Sequence, residues 1–232
     1  MTTARSIHVG LNSVDPAGYR GWAGRLRACE HDARAMQALC TAEGLTPGLL
    51  LTAAATRAAV LAEFDRAARE LRSGDLLVVT YSGHGASFAE ITGDEEDDRD
   101  EAWCLFDGVL LDDRLGELLA GFASGVEILV VSDSCYAGTM LRSALTVANA
   151  PPEVSASVLL LAACGEAQRT YARADRGLFT DALLAAWGCG RFRGSHHDFL
   201  DAIRATWPHA QLAHLGSAAP AFAARRPFTI LP

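Results

Sequence analysis

The sequence has 232 residues, half of them hydrophobic and 21% charged, with a formal net charge of −8. That balance excludes a disordered chain, no apolar run is long enough for a membrane helix, and the negative charge disfavours nucleic acid or an anionic membrane as partner. Six cysteines without CxxC or Cys/His ligand spacing argue against a structural zinc site; with no export signal ahead of the first strand, they suit free thiols in the cytoplasm.

The length fits a single domain, 1–232, with no internal repeat and no linker that would divide it. Ile7 to Leu11 reads as a first strand, followed by a Gly- and Pro-rich loop from Asn12 to Gly24. Cys29 to Glu43 predicts a helix, with Ala33, Met36 and Cys40 at helical spacing and Gly44 past its end. Leu49 to Leu51 is a short strand. Thr56 to Arg72 predicts an amphipathic helix on the stripe Val60, Leu61, Phe64, Ala68 and Leu71.

Leu76 to Tyr81 is a buried strand, and Ser87 to Glu101 reads as an acidic loop. Trp103 to Leu111 predicts a hairpin around Asp107-Gly108. Asp112 to Ala120 starts a helix with Leu115, Leu118 and Leu119 inward, and Ile128 to Asp133 is a second buried strand. A loop from Leu141 to Ala156 leads to a strand, Val158 to Ala162, and the turn Cys164-Gly165-Glu166. Two helices follow, Gly177 to Trp187 and His196 to Trp207. A final edge strand is expected over Pro227 to Leu231. Strands alternating with helices predict an α/β fold: a central, mostly parallel β-sheet with helices on both faces.

Two strands carry the chemistry. One runs Leu76-Leu-Val-Val-Thr-Tyr-Ser-Gly-His-Gly85, the other Glu127-Ile-Leu-Val-Val-Ser-Asp-Ser-Cys-Tyr-Ala-Gly138. In a parallel sheet both would deliver their polar ends, His84 and Cys135, to one rim. A thiol with an imidazole distant in sequence is the pattern of a cysteine nucleophile and its base. The competing reading of Cys135, a small buried hydrophobe, is weakened by Ser132, Asp133 and Ser134 just before it. Asp133 is a carboxylate at a strand end, which is costly unless it meets a cation, so it should face a substrate pocket.

Tyr81-Ser-Gly-His-Gly85, with Asp133-Ser-Cys-Tyr-Ala-Gly138 placing the Cys 51 positions after the His, resembles the caspase/metacaspase family of cysteine peptidases, most closely bacterial metacaspases. The resemblance implies a caspase-like fold with a large-subunit-like part (1–140), a connecting loop (141–156) and a small-subunit-like part (157–232). The second half supports this with Val158-Leu-Leu-Leu-Ala-Ala-Cys-Gly-Glu-Ala-Gln168 and Gly177-Leu-Phe-Thr-Asp-Ala-Leu-Leu184.

It also implies a catalytic dyad of Cys135 and His84, an oxyanion hole from the N–H groups of Gly85 and Cys135, and an acidic pocket of Cys29, Asp32, Ser82 and Asp133. Two carboxylates suit a guanidinium or an ammonium, so cleavage is expected after Arg or Lys in a protein or peptide substrate. Asp32 has a competing reading as a helix-surface or capping acid. No third triad residue is evident.

No cofactor is required for this chemistry. Seven acidic residues in positions 94–101 nonetheless raise calcium, and the resemblance places metal ligands at Asp100, Asp112 and Asp113. The fourth family ligand falls at Arg142, which would oppose a cation; a solvated acidic loop is the alternative. Arg142 is also a candidate self-cleavage site. Tyr136 and Ala137 depart from the usual His-Ser without touching the dyad. The expectation is a cytoplasmic monomer, its short Pro-flanked final strand being a poor pairing edge. The alternative from another class is a catalytically silent caspase-like interaction module or scaffold.

Overall fold

The computed structural model describes residues 2–89, 99–135, 154–163, 172–173, 176–216 and 219–230. Its strands are β1 (Ala4–Gly10), β2 (Thr46–Leu51), β3 (Leu76–Ser82), β4 (Gly85–Ala89), β5 (Arg99–Leu105), β6 (Gly108–Leu111), β7 (Glu127–Asp133), β8 (Ser157–Ala162), β9 (Ala172–Arg173), β10 (Arg176–Gly177) and β11 (Gln211–Leu215). Its helices are α1 (Cys29–Ala42), α2 (Arg57–Glu70), α3 (Asp112–Ala120), α4 (Leu178–Trp187), α5 (His196–Arg204) and α6 (Ala219–Ala223).

Six strands form the central sheet in the order β11-β8-β7-β3-β1-β2. All neighbours are parallel except β11, which closes one edge antiparallel to β8. The apolar runs of β3 and β7 explain their central places, because a strand covered on both faces has no polar side to show. Alternate residues divide between two cores. Leu77, Val79, Ile128 and Val130 pack with Val60 and Phe64 of α2 and Leu115 and Leu119 of α3. Leu76, Val78, Leu129 and Val131 pack with Met36 of α1, Leu183 of α4, Phe199 of α5 and Phe222 of α6. The fold is therefore an α/β layer structure, a mostly parallel sheet with helices on both faces. Among the described residues, no helix is long and apolar enough to cross a membrane.

Local signals place the ends. Thr56 caps α2 through its hydroxyl, which accepts from the Ala59 N–H, and Ser195 with Asp198 forms a capping box on α5. A three-stranded antiparallel sheet, β4-β5-β6, lies beside the main sheet; its β5–β6 hairpin pairs Leu105 with Gly108. Asp107 ties that hairpin to α2 by accepting from the Arg57 N–H at 2.7 Å.

Two expectations are corrected. Ser87–Ala89 and Arg99–Glu101 are not loop but the ends of β4 and β5, which pair Ser87 with Glu101. The acidic stretch between them lies outside the described residues, as do Tyr136, Ala137, Arg142 and the turn at Cys164–Glu166.

Pro227–Leu231 is not the edge strand: described as far as Ile230, it forms none. Phe228 sits at φ +55, which a β-strand cannot accommodate, and its ring is buried 5.1 Å from Trp187. The edge is Gln211–Leu215, antiparallel to β8, and not the Pro-flanked strand expected to make a poor pairing edge.

Candidate active site

β3 and β7 are hydrogen-bonded neighbours in a register that pairs Ser82 with Asp133. Each chain then runs two residues further, to His84 and to Cys135, so both groups leave the sheet at one rim. The Gly83 N–H donates to the Asp133 carbonyl at 3.3 Å. A Cβ placed on Gly85 would lie 1.9 Å from the carbonyl oxygen of Cys135. Only glycine permits that approach of the two backbones.

The His84 segment is held from behind. The Cys104 N–H of β5 donates to the His84 carbonyl at 2.9 Å. The one hydrogen of the Tyr81 hydroxyl is shared between the same carbonyl, at 2.7 Å, and that of Cys104, at 3.0 Å. Tyr81 stacks on Trp103 at 4.6 Å, and the Trp103 indole N–H donates to Ser132 Oγ at 3.1 Å. The antiparallel β4-β5-β6 sheet thus fixes the ends of both site strands.

The imidazole itself is oriented by the loop after β1. His84 Nε2 lies 3.1 Å from the Gly24 carbonyl oxygen. A carbonyl only accepts, so Nε2 carries the hydrogen and Nδ1 keeps its lone pair. Burial lowers the imidazole pKa, partly offset by the Gly24 bond. A neutral ring with a free lone pair is the form a general base needs. Trp22 packs against the ring at 4.7 Å. Cys135 is partly exposed.

The four expected pocket residues are brought together. Asp32 reaches in from the first turn of α1, beside Cys29. Asp32 accepts from Ser82 Oγ at 3.0 Å and from the Gly177 N–H at 3.0 and 3.2 Å. Asp133 Oδ2 accepts from the Thr180 hydroxyl at 2.7 Å and from its N–H at 3.3 Å.

Both acids are buried, Asp32 at 2% and Asp133 at 6% exposure. Burial raises Asp32 to about 6. Burial, then the charge of Asp32, raises Asp133 to about 7. Burial likewise pushes the Cys29 thiol up to about 12, so it stands beside the two acids as a neutral group. Arg176 pairs with Asp181 at 2.9 Å, and its charge favours the ionised form of Asp32. Asp32 is therefore not a helix-surface acid.

The metal expectation finds less. Asp112 is fully buried at the start of α3, where Oδ2 accepts from the Glu101 N–H at 3.3 Å and Oδ1 from the Asp113 N–H at 3.0 Å. Asp100 lies on β5 with its side chain outside the described residues. Among the described residues, no three His, Cys, Asp or Glu side chains converge as a metal site. Asp112 thus accepts from two backbone donors, and no step is routed through a metal.

Sequence reasoning missed Gly24, Trp22, Gly177 and Thr180. Gly24 and Gly177 act through backbone groups that no residue type advertises. Gly177-Leu-Phe-Thr180 stood out only as part of a family motif.

Three kinds of comparison bear on this geometry. The family model for the metacaspase, peptidase C14 domain matches residues 5–144. Metacaspase-3 of Arabidopsis thaliana is 32% identical over 152 residues, covering 59% of this chain and 40% of its own. Metacaspase-1 of Ajellomyces capsulatus is 27% identical over 152 residues, covering 59% of this chain and 41% of its own. The match thus spans well under half the length of these relatives. Among solved structures, protein GSU0716 from Geobacter sulfurreducens superposes with a TM-score of 0.87 at 38% identity, covering 99% of this chain and all of that one. Caspase-1 from Spodoptera frugiperda gives 0.58 at 12% identity over 93% of this chain and 86% of its own, a likeness of fold alone.

Proposed function

Because the chain belongs to the metacaspase family of C14 peptidases, we propose that it is a cysteine endopeptidase that cleaves after Arg or Lys. One observation carries the reading: His84 and Cys135 leave adjacent, register-paired strands whose ends also hold two buried carboxylates, Asp133 on β7 and Asp32 accepting from Ser82 of β3.

The chemistry follows from the groups present. His84 Nδ1 takes the proton of the Cys135 thiol, and the thiolate attacks the carbonyl carbon of the bond after the basic residue. The developing oxyanion is met by the backbone N–H groups of Gly85 and Cys135. The imidazolium then gives its proton to the departing amine, and the C–N bond breaks to leave a thioester. Water, deprotonated by His84, adds to the thioester; the acid product leaves and the thiol regains its proton.

The pocket acids select the substrate. A guanidinium or ammonium entering beside Asp32 and Asp133 supplies the charge their burial lacks, and they ionise as it binds. An acidic side chain in that place would meet two like charges. The same proposal covers a cytoplasmic, monomeric enzyme acting on protein substrates, with calcium stimulation and self-cleavage after Arg142 as dependences to be measured.

The test is hydrolysis of fluorogenic peptides bearing Arg, Lys, Asp or Ala at P1, by wild type and Cys135→Ala, with calcium and with chelator. Cleavage confined to Arg and Lys and absent from the variant is expected. Preference for Asp would overturn the pocket, activity surviving in Cys135→Ala would overturn the nucleophile, and inactivity throughout would favour the scaffold reading.

A further inference from the structure

Among the described residues, Trp22 is the large hydrophobic side chain left exposed, at 47%. It does not stand on a loose loop. Tyr19 donates its hydroxyl to the Leu105 carbonyl at 2.6 Å, and its ring meets Trp22 edge-on at 6.0 Å. The Val14 N–H donates to Ala23 and the Leu26 N–H to Asn12, at 3.0 and 2.8 Å. Arg20, Gly21 and Gly24 all take positive φ, at 52°, 90° and 48°. A non-glycine residue in that region is held there by its surroundings. The loop, with Arg20 in the left-handed region and its hydrogen bonds to Leu105, Ala23 and Asn12, thus holds an indole half in water, packed on the ring of the proposed base.

Direction comes from the chemistry. His84 delivers its proton to the leaving nitrogen, and that nitrogen belongs to P1′, the residue after the cleaved bond. The P1′ side chain branches one atom beyond that nitrogen. A ring centred 4.7 Å from the imidazole is within one side-chain length of that branch. The P1 side chain, by contrast, runs towards Asp32 and Asp133.

We infer that Trp22 forms the wall of a P1′ subsite that favours a large apolar or aromatic residue after the cleaved bond. The inference rests on the peptidase reading, with His84 as proton donor. An exposed aromatic with two ordered neighbours presents area at little entropic cost, as do the anchors of binding surfaces. Trp22 touches no reacting atom in this role; it determines specificity.

Quenched fluorescent peptides with Arg at P1 test this, with Phe, Leu, Ala, Asp or Gly at P1′ and a parallel series varied at P2. Wild type should prefer Phe or Leu over Gly at P1′ by about tenfold or more in kcat/KM, the scale of apolar pocket discrimination. Trp22→Ala should flatten that ratio and Trp22→Phe should retain most of it. Taking the ratio within each variant cancels any general loss from a shifted His84. A flat P1′ profile in wild type, an unchanged profile in Trp22→Ala, or a change confined to P2 would overturn the assignment while leaving the peptidase reading intact. No cleavage of any peptide removes both.

Discussion

His84 gives its Nε2 hydrogen to the carbonyl oxygen of Gly24, 3.1 Å away, and that one bond decides which ring nitrogen can act. The partner is a backbone atom on a loop 60 residues earlier in the chain. It holds the imidazole without a carboxylate, so the ring is oriented but gains no negative neighbour from this partner.

Gly24→Ala should therefore damage catalysis without touching the pocket. At φ +48 an added Cβ would be strained, and it would lie 2.8 Å from the Trp22 ring and 3.1 Å from His84 Cδ2. A small misplacement of a catalytic group can cost on the order of a hundredfold in rate. We expect kcat to fall by about tenfold to a hundredfold while the Arg-over-Ala preference at P1 is kept. Wild-type kcat in this variant would remove the orienting role.

Gly85→Ala should be far worse. Its Cβ would sit 1.9 Å from the Cys135 carbonyl oxygen, a backbone atom with no rotamer to escape into. Either β3 and β7 part at their ends or the chain does not fold. A thermal melt with turnover measured on the soluble fraction distinguishes the two. A soluble, fully active variant would contradict the packing.

The acid pair should shape the pH profile. With Asp32 raised to about 6 and Asp133 to about 7, both acids are largely neutral in mild acid and attract a cation only once ionised. Hydrolysis of an Arg peptide should therefore rise in kcat/KM as pH increases through this range. A Lys peptide should show the same limb, because its P1 side chain also carries a charge to pair. Asp133→Asn should weaken Arg cleavage by about 2–5 kcal/mol in kcat/KM and erase its share of the limb. If the limb persists unchanged in that variant, His84 or the thiol is its source.

Stability should respond to the same pH range with opposing signs. The two acids hold their protons when folded at pH values where the unfolded chain, near 4, has released them. Their contribution is fully present below about 4 and is lost as pH rises through 6 to 7. For Asp133, raised from 3.8 to about 7, the ceiling on that loss is about 4 kcal/mol.

His8, between Thr80 Oγ at 2.9 Å and Ser6 Oγ at 2.8 Å, and His196, against Phe222, behave oppositely. Burial lowers them to about 3 and about 4. Below about 6.5 the unfolded chain gains protons that these folded histidines refuse, so stability falls with acid. Asp133→Asn should raise Tm at pH 8 and leave it nearly unchanged at pH 4. Equal Tm shifts at both pH values would show that Asp133 is not the titrating group.

What the sequence determined by itself lies in short stretches of chain. The apolar runs ending at Ser82 and Asp133 had to be buried strands, because no polar face was available to either. Once they are parallel neighbours, His84 and Cys135 must share a rim. The stripes of α2 and α3 and the Asp107-Gly108 turn were legible because each is set by residues three or four apart.

Only the tertiary structure decided the rest, because the deciding partners are backbone atoms or distant segments. The Gly177 N–H reaches Asp32 across 145 positions, and Gly24 reaches His84 with a carbonyl that any residue would possess. The last edge of the sheet shows the same limit. Phe228-Thr-Ile-Leu231 has better strand formers than Gln211-Leu-Ala-His-Leu215. Yet the latter pairs with β8, while Phe228, buried against Trp187 and Phe199, takes a φ of +55 that no strand accommodates. Packing of one aromatic ring outweighed the local preference of the segment that carries it.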